Sequence, residues 1–462
     1  MSELIRVDSS KFLQLAAKIG ADQLTTAQAE LEHYGRDWTR IYPPSPSAIV
    51  FPKCVADVQA IVGWAVEHQV ALVPSGGRTG LSGGAVAANH ELVVSMERMN
   101  RVLAFDQVDR TLTVQAGVPT EVVQREARLQ GLYYPVDFAS RGSSQIGGNV
   151  ATNAGGIKVL RYGMTRDWVA GLKVVTGTGA LLDLNRGLVK NATGYDLRHL
   201  FIGSEGTLGI VVETTLRLAQ LPGEQQVMVL GVSRMDALME VFAQLRKTLS
   251  LSAFEFFTHR ALMHVVADGA RRPFDTQAPF YALAEFDADE TAASDTFEHM
   301  AMQGLVLDGV VAQSLAQAAA LWRLREGITE SLSRHTPYKN DIAVRVSQVP
   351  AFLEEMDSLF AREYPQFEVI WFGHIGDGNL HISILKPDAM APAAFNAECS
   401  RVTAMLSDVL AAHGGTLSAE HGIGLLKKDW LLSSRTRDEM DLMRGIKNLF
   451  DPTGIMNPGK LL

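Results

Sequence analysis

The run Pro74-Ser75-Gly76-Gly77-Arg78-Thr79-Gly80-Leu81-Ser82-Gly83-Gly84 constrains this chain more than any other stretch. It follows the strand-like Ala71-Leu72-Val73 directly, and so many glycines let successive backbone N–H groups turn toward one anion. A diphosphate is the natural occupant. The spacing is not the G-x-G-x-x-G of a Rossmann unit, and that fingerprint occurs nowhere else in the chain, which weakens a nicotinamide-dinucleotide reading. Two more segments follow: Gln145-Ile146-Gly147-Gly148-Asn149-Val150-Ala151-Thr152-Asn153-Ala154-Gly155-Gly156 and Gly203-Ser204-Glu205-Gly206-Thr207-Leu208-Gly209-Ile210. Each alone also fits a tight turn in a β-rich domain. Together, in this order and with strands between them, they are specific.

The organisation around these loops is legible from periodicity. Ser9 to Gly20 reads as a short helix, and Pro43-Pro44-Ser45-Pro46 as a rigid connector. Ile49-Val50-Phe51 is strand-like; Val55, Val58, Ile61, Val62, Ala65 and Val66 then repeat at helical spacing before Ala71-Leu72-Val73, a β-α-β unit feeding the first loop. From Leu92 to Leu218 short β-rich runs alternate with turns, as in Thr111-Leu112-Thr113-Val114 and Leu172-Lys173-Val174-Val175. Beyond Pro222-Gly223 longer helical patterns appear (237–249, 315–333, 350–362) between isolated strands, so a domain boundary falls near 220. A chain of 462 residues exceeds what one core usually supports, in keeping with two or more units.

The net charge of -9, with no basic stripe, argues against a nucleic-acid partner. Cys54 and Cys399 are too few for a disulfide framework or a cysteine metal site, so the cytoplasm is the default location. Glu3, Arg6, Asp8 and Lys11 interrupt the N-terminus, which reads against a signal peptide. No stretch is long and apolar enough to span a bilayer, so a soluble protein is expected, and any membrane contact would be peripheral.

Gly373-His374-Ile375-Gly376-Asp377-Gly378-Asn379-Leu380-His381 carries the hairpin signal Asp-Gly. A two-residue turn at Asp377-Gly378 would set His374 opposite His381, about 5 Å apart on one face, where two imidazoles can chelate one metal. The same spacing fits a plain cross-strand histidine pair. Ser418-Ala419-Glu420-His421-Gly422-Ile423-Gly424 adds a carboxylate and an imidazole side by side, where Glu420 also fits a group solvating a turn and a lone His421 a structural role. Arg325 and Thr329 lie four apart on a predicted helix, hence on one face, with Lys339 beyond; each also fits a solvated surface. Strand alternation puts Ser383 on the face of His381.

Residues 40–220 resemble the FAD-binding domain of the vanillyl-alcohol oxidase and p-cresol methylhydroxylase (PCMH) superfamily, and Phe450-Asp451-Pro452-Thr453-Gly454-Ile455-Met456-Asn457-Pro458-Gly459-Lys460 resembles its C-terminal signature. The resemblance implies an α+β protein. Its parts would be an N-terminal helical segment (1–40), a PCMH-type FAD-binding domain (41–220), an α+β substrate or cap domain (221–415) and a C-terminal segment (416–462) returning to the flavin. It implies FAD contacts at Ser75, Gly76, Gly77, Arg78, Thr79, Gly80, Leu81, Ser82, Gly147, Gly148, Thr152, Asn153, Gly206, Ile210 and Asn457. Many relatives tether the flavin through a histidine in the first loop. Arg78 and Thr79 stand there, with no histidine or cysteine nearby in sequence, so the FAD is expected to be non-covalent.

The histidine-bearing segments extend the resemblance over nearly the whole chain, to the metal-dependent D-2-hydroxyacid dehydrogenases of the superfamily, nearest those acting on D-2-hydroxyglutarate. It implies His374, His381 and Glu420 as ligands of one divalent metal, expected to be zinc, and His421 as the catalytic base. A dication sharply lowers the pKa of an O–H bound to it, which brings an alcohol's proton within reach of a neutral imidazole. Arg325, Thr329, Lys339, Ser383 and His421 are implied as substrate contacts, favouring a small 2-hydroxy dicarboxylate. Ser383 departs from the asparagine often found at that position, which keeps D-malate open. Oxidation of D-2-hydroxyglutarate to 2-oxoglutarate is the implied reaction. D-lactate or glycolate oxidation, electron transfer to oxygen, and a non-catalytic flavoprotein subunit are the rival readings. An electron-transfer flavoprotein or a quinone is the implied acceptor, and a homodimer stays open.

Overall fold

The computed structural model describes residues 9–462; the part of the leader reading that falls on 1–8 lies outside the described residues. The chain divides into two compact units, one ending its first segment at Gly156 and resuming over Gly163–Leu221 and Glu420–Leu462, the other made of Ile157–Tyr162 and Pro222–Ala419.

In the first unit, helix α1 (Ser9–Ile19) buries Phe12, Leu15 and Ile19, and the Phe12 ring stacks 6.0 Å from Trp64. Trp64 belongs to α2 (Val55–His68), whose start is fixed by the Asp57 carboxylate accepting from the N–H groups of Lys53 and Cys54. Its inner stripe of Val58, Ile61, Val62 and Ala65 is fully buried, each large side chain contributing about 1.5–3 kcal/mol. α2 connects β2 (Ala48–Val50) to β3 (Leu72–Ser75); both run parallel to β4 (Leu92–Ser95), which lies between them, with β1 (Leu24–Thr25) antiparallel at the edge. The predicted β-α-β unit is therefore present with a third strand inserted. The second sheet is antiparallel, in the order β5 (Val102–Asp106), β6 (Thr111–Gln115), β9 (Gly209–Arg217), β7 (Val169–Thr176), β8 (Leu181–Leu184). Helix α3 (Ile146–Thr152) carries the second glycine segment. The chain's last segment joins β3: the Leu72 N–H donates to Ile455 O and the Asn457 N–H to Leu72 O, each at 2.8 Å.

The second unit is one seven-stranded antiparallel sheet. Its strands are β10 (Gln225–Val232), β11 (Leu251–Thr258), β12 (Phe280–Asp287), β13 (Val306–Val311), β14 (Tyr338–Ala343), β15 (Glu368–Gly373) and β16 (Asn379–Leu385), in the order β13-β10-β12-β11-β15-β16-β14. Helix α4 (Met235–Thr248) follows β10. Strand alternation sorts the sheet's two faces. Ile370 and Phe372 share a core with Phe257, Leu321, Leu324 and Ile328, whereas the Trp371 ring between them meets Phe352 and Phe360 of α7 (Val349–Glu363). Leu321 and Leu324 lie on α5 (Leu315–Glu326), Ile328 on α6 (Ile328–Leu332). The predicted helix over 315–333 is thus two helices, parted at Gly327. Among the described residues, no helix is long and apolar enough to cross a membrane.

Candidate functional site

Three glycine segments of the first unit approach one another. β3 ends at Ser75, and a Cβ added at Gly77 would lie 1.9 Å from Ser143 O, so only glycine admits the first loop beside the approach to α3. Position 76 faces Gln145 and the Gly148 nitrogen. The N–H of Gly147 donates to Ala116 O, Thr152 Oγ1 to Gly148 O, and Asn153 closes α3 in the left-handed region with its Oδ1 accepting from the Arg166 N–H. Gly206 has φ +73, and a side chain there would meet Pro74. Ile210 is buried in β9. Asn457 ties the first loop to the third, its Nδ2 donating to Gly84 O at 2.9 Å and Glu205 O at 2.7 Å.

The mix of one hydroxyl and two amide acceptors left over here fits a dinucleotide with both donor and acceptor groups. Ser75 Oγ, Gln145 Oε1 and Asn457 Oδ1 are buried without a protein partner, and such atoms await hydrogen bonds from something else. Arg78 is otherwise engaged: its guanidinium lies 4.3 Å over the Tyr34 ring and 3.1 Å from His33 Nε2. The fold therefore brings a histidine beside the first loop that the local sequence did not foretell. Gly80 and Leu81 are exposed, Thr79 is half-buried and Ser82 is buried.

In the second unit the predicted hairpin register is corrected. Phe372, not His374, pairs with His381, and residues 374–378 form a longer loop. A two-residue Asp-Gly turn needs positive φ at both positions; Gly378 has φ +85, but Asp377 is not in that region. The loop is instead held by the Gly376 N–H donating to Phe254 O on β11. The two imidazoles nonetheless meet, with ring centroids 5.2 Å apart and planes at 82°. Each has a buried carboxylate behind Nδ1: Glu255 Oε1 is 2.8 Å from His374, and Asp341 Oδ1 is 3.5 Å from His381. Asp341 also accepts from Asn379 Nδ2 at 2.8 Å.

The face that carries these groups also carries the candidate anion binders. Lys339 pairs with Ser383, and Asp341 with His381, across β14 and β16. Ser383 is buried; Lys339 is exposed, though crowding by protein still lowers its amine pKa, and it pairs with no carboxylate among the described residues. Arg325 is 6% exposed, lies 5.0 Å over the Phe372 ring, and has an Nη2 with no acceptor. Thr329 departs from expectation: beyond the break at Gly327 it is exposed while Arg325 is buried.

Ser418 bridges to Asp341 and leads the chain to Glu420. His374, His381 and Asp341 belong to the second unit, and Glu420 and His421 open the last segment of the first. Two imidazoles and a carboxylate suit zinc and its neighbours. The stretch after Glu420 is clamped from within the first unit. Ser82 Oγ lies 2.9 Å from both His421 O and Gly422 O, and the Glu205 carboxylate accepts from the N–H groups of Ile423 and Gly424 at 2.7 Å each. Burial raises the Glu205 pKa, against those two N–H donors. Gly424, at φ +52, leaves room for Ser82 O, which a Cβ would meet at 2.1 Å.

Glu255, Asp341 and Glu205 were missed by sequence reasoning. A signal existed for Glu255, a lone charge inside the apolar strand Ser252-Ala253-Phe254-Glu255-Phe256-Phe257.

Known proteins match this chain in sequence and fold. An FAD binding domain model fits residues 46–185, and the C-terminal domain of FAD linked oxidases fits residues 221–461. D-2-hydroxyglutarate dehydrogenase of Xanthomonas citri pv. viticola is 61% identical over 98% of this chain and 96% of its own length. That of Stutzerimonas stutzeri is 55% identical over 100% and 99%. The fold alone is shared with p-cresol methylhydroxylase with substrate bound, at 14% identity and a TM-score of 0.72 over 98% of this chain and 97% of the other. Fold and matches together define an FAD-dependent oxidoreductase with a PCMH-type flavin domain. The chain belongs to the FAD-linked oxidase family, in the branch that holds these D-2-hydroxyglutarate dehydrogenases.

Proposed function

We propose that this protein oxidises D-2-hydroxyglutarate to 2-oxoglutarate with non-covalent FAD and one divalent cation, zinc in the first instance. The observation that carries the substrate class is Arg325: a buried guanidinium whose Nη2 lacks an acceptor, on the sheet face that also holds two metal-competent imidazoles. Such a group favours an anion and disfavours a ligand that leaves it unpaired. The relatives named for D-2-hydroxyglutarate support the same substrate.

In this reading His374, His381 and Glu420 hold the cation, and Arg325 and Lys339 bind the substrate's carboxylates with Thr329 and Ser383 as polar contacts. The loops at 75–82, 147–153 and 206–210, with Asn457, hold the cofactor. Bound there, the cation would acidify the C2 hydroxyl and FAD would supply the acceptor for the hydride leaving C2. His421 works as the neutral imidazole and takes the hydroxyl proton on a ring nitrogen. Proton and hydride together account for the two-electron oxidation to the 2-oxo acid. The segments 41–220, 221–415 and 416–462 divide the work into flavin binding, substrate binding and completion of both sites. A cytoplasmic protein, passing electrons to an electron-transfer flavoprotein or a quinone, completes the proposal on family resemblance. Turnover compared on D-2-hydroxyglutarate, D-malate and D-lactate tests it: the five-carbon dicarboxylate should have the highest kcat/KM, and a preference for lactate would refute it.

A further inference from the structure

Glu255 stands between two functional groups of the second unit and belongs to neither. Its Oε1 is 2.8 Å from His374 Nδ1 and its Oε2 is 2.9 Å from Arg325 Nε, with the Glu255 side chain 1% exposed. β11 places it there: Phe257 pairs with Phe372, so the same register carried two residues onward sets position 255 beside 374. A carboxylate against Nδ1 obliges that nitrogen to carry the proton, which leaves Nε2 as the lone-pair donor. The Arg325 Nε–H is close but not aimed as a hydrogen bond, so that attraction is mainly Coulombic, and Nη2 is left to face another acceptor.

We propose that Glu255 is a positioning residue serving both arms of the site: one oxygen fixes the tautomer and aim of His374, and the other holds the guanidinium of Arg325. The inference rests on reading His374 as a metal ligand and Arg325 as an anion binder. Both neighbours are donors, so glutamine cannot replace it. Its amide has one acceptor oxygen, and turning that toward one neighbour points N–H groups at the other.

The test uses FAD-loaded full-length protein as wild type, Glu255→Gln, Glu255→Asp, His374→Ala and the double variant Glu255→Gln/Arg325→Met. Zinc affinity is measured by competition with a chromophoric chelator, and the visible spectrum is recorded after cobalt(II) loading. Loss of the partner behind a metal-binding imidazole should weaken zinc binding about 10- to 100-fold in Glu255→Gln, with shifted cobalt bands and partial recovery in Glu255→Asp. KM for the dicarboxylate should rise about 10-fold or more as Arg325 loses its anchor. The double variant leaves no buried guanidinium behind and should show the same loss of zinc affinity even if the single variant folds poorly. Zinc affinity indistinguishable from wild type in either folded variant overturns the proposal. If His374→Ala binds zinc as wild type does, the ligand reading itself has failed, and the proposal with it.

Discussion

Asn457 donates its side-chain amide to the backbone carbonyl of Glu205 at 2.7 Å, and the same nitrogen reaches Gly84 O. One residue of the C-terminal signature thereby fastens the first glycine loop to the third. Asn457→Ala should leave two carbonyls short of a donor, at a cost of about 1–3 kcal/mol. A lower unfolding midpoint, and FAD lost on gel filtration, are the expected results.

Gly77 has no room for a methyl group beside Ser143 O. Because the obstacle is backbone and not a flexible side chain, Gly77→Ala should move the loop against α3 and reduce FAD content. Flavin absorbance per protein chain, compared with Gly63→Ala in α2, checks it; nothing lies within 4 Å of a Cβ at 63.

The guanidinium of Arg325 gives the substrate reading its specificity. Arg325→Met should lower kcat/KM for D-2-hydroxyglutarate about 100-fold or more and that for D-lactate much less, since lactate has no second carboxylate to lose a partner. Steady-state kinetics on the two substrates decide it.

How much of this was legible in the sequence follows from where each constraint resides. The glycine loops announce themselves because left-handed backbone and close approach, as at Gly206 and Gly77, are local demands that few residues meet. The β-α-β start and the helices α4 and α7 of the second unit were legible for a similar reason, through burial periods such as those of α2 and α7, whereas the 21-residue helix Pro392–Ala412 was not. The register of β15 on β16 was not, because the turn is set by Gly376 bonding to Phe254, more than a hundred residues away. Glu255 and Asp341 stayed hidden because their partners His374 and His381 are long-range neighbours across the sheet. The common face expected of Arg325 and Thr329 was not legible either, because the helix is parted at Gly327 between them.

Lys460, 2% exposed, lies 3.7 Å from Glu91, and burial pulls its pKa down to about 8 despite the nearby Glu91 and Asp37 carboxylates. The unfolded chain holds this proton to about pH 10.4, so between about pH 8 and 10.4 it binds more protons than the folded chain. The lysine's contribution to stability should therefore rise with pH across that window. Denaturant unfolding of wild type and Lys460→Met at pH 7.5 to 10 (about the window set by linkage) should show wild type gaining on the variant as pH rises.

The central claim is that a metal-dependent site with His421 as its base delivers electrons from D-2-hydroxyglutarate to the flavin. Anaerobic titration of the purified protein with that substrate, followed in the visible flavin bands, tests it most directly. The bands should bleach in wild type, persist after chelator treatment, bleach again once zinc is restored, and persist in His421→Ala that retains FAD and zinc. Bleaching at the wild-type rate in the metal-free protein or in His421→Ala would contradict the account.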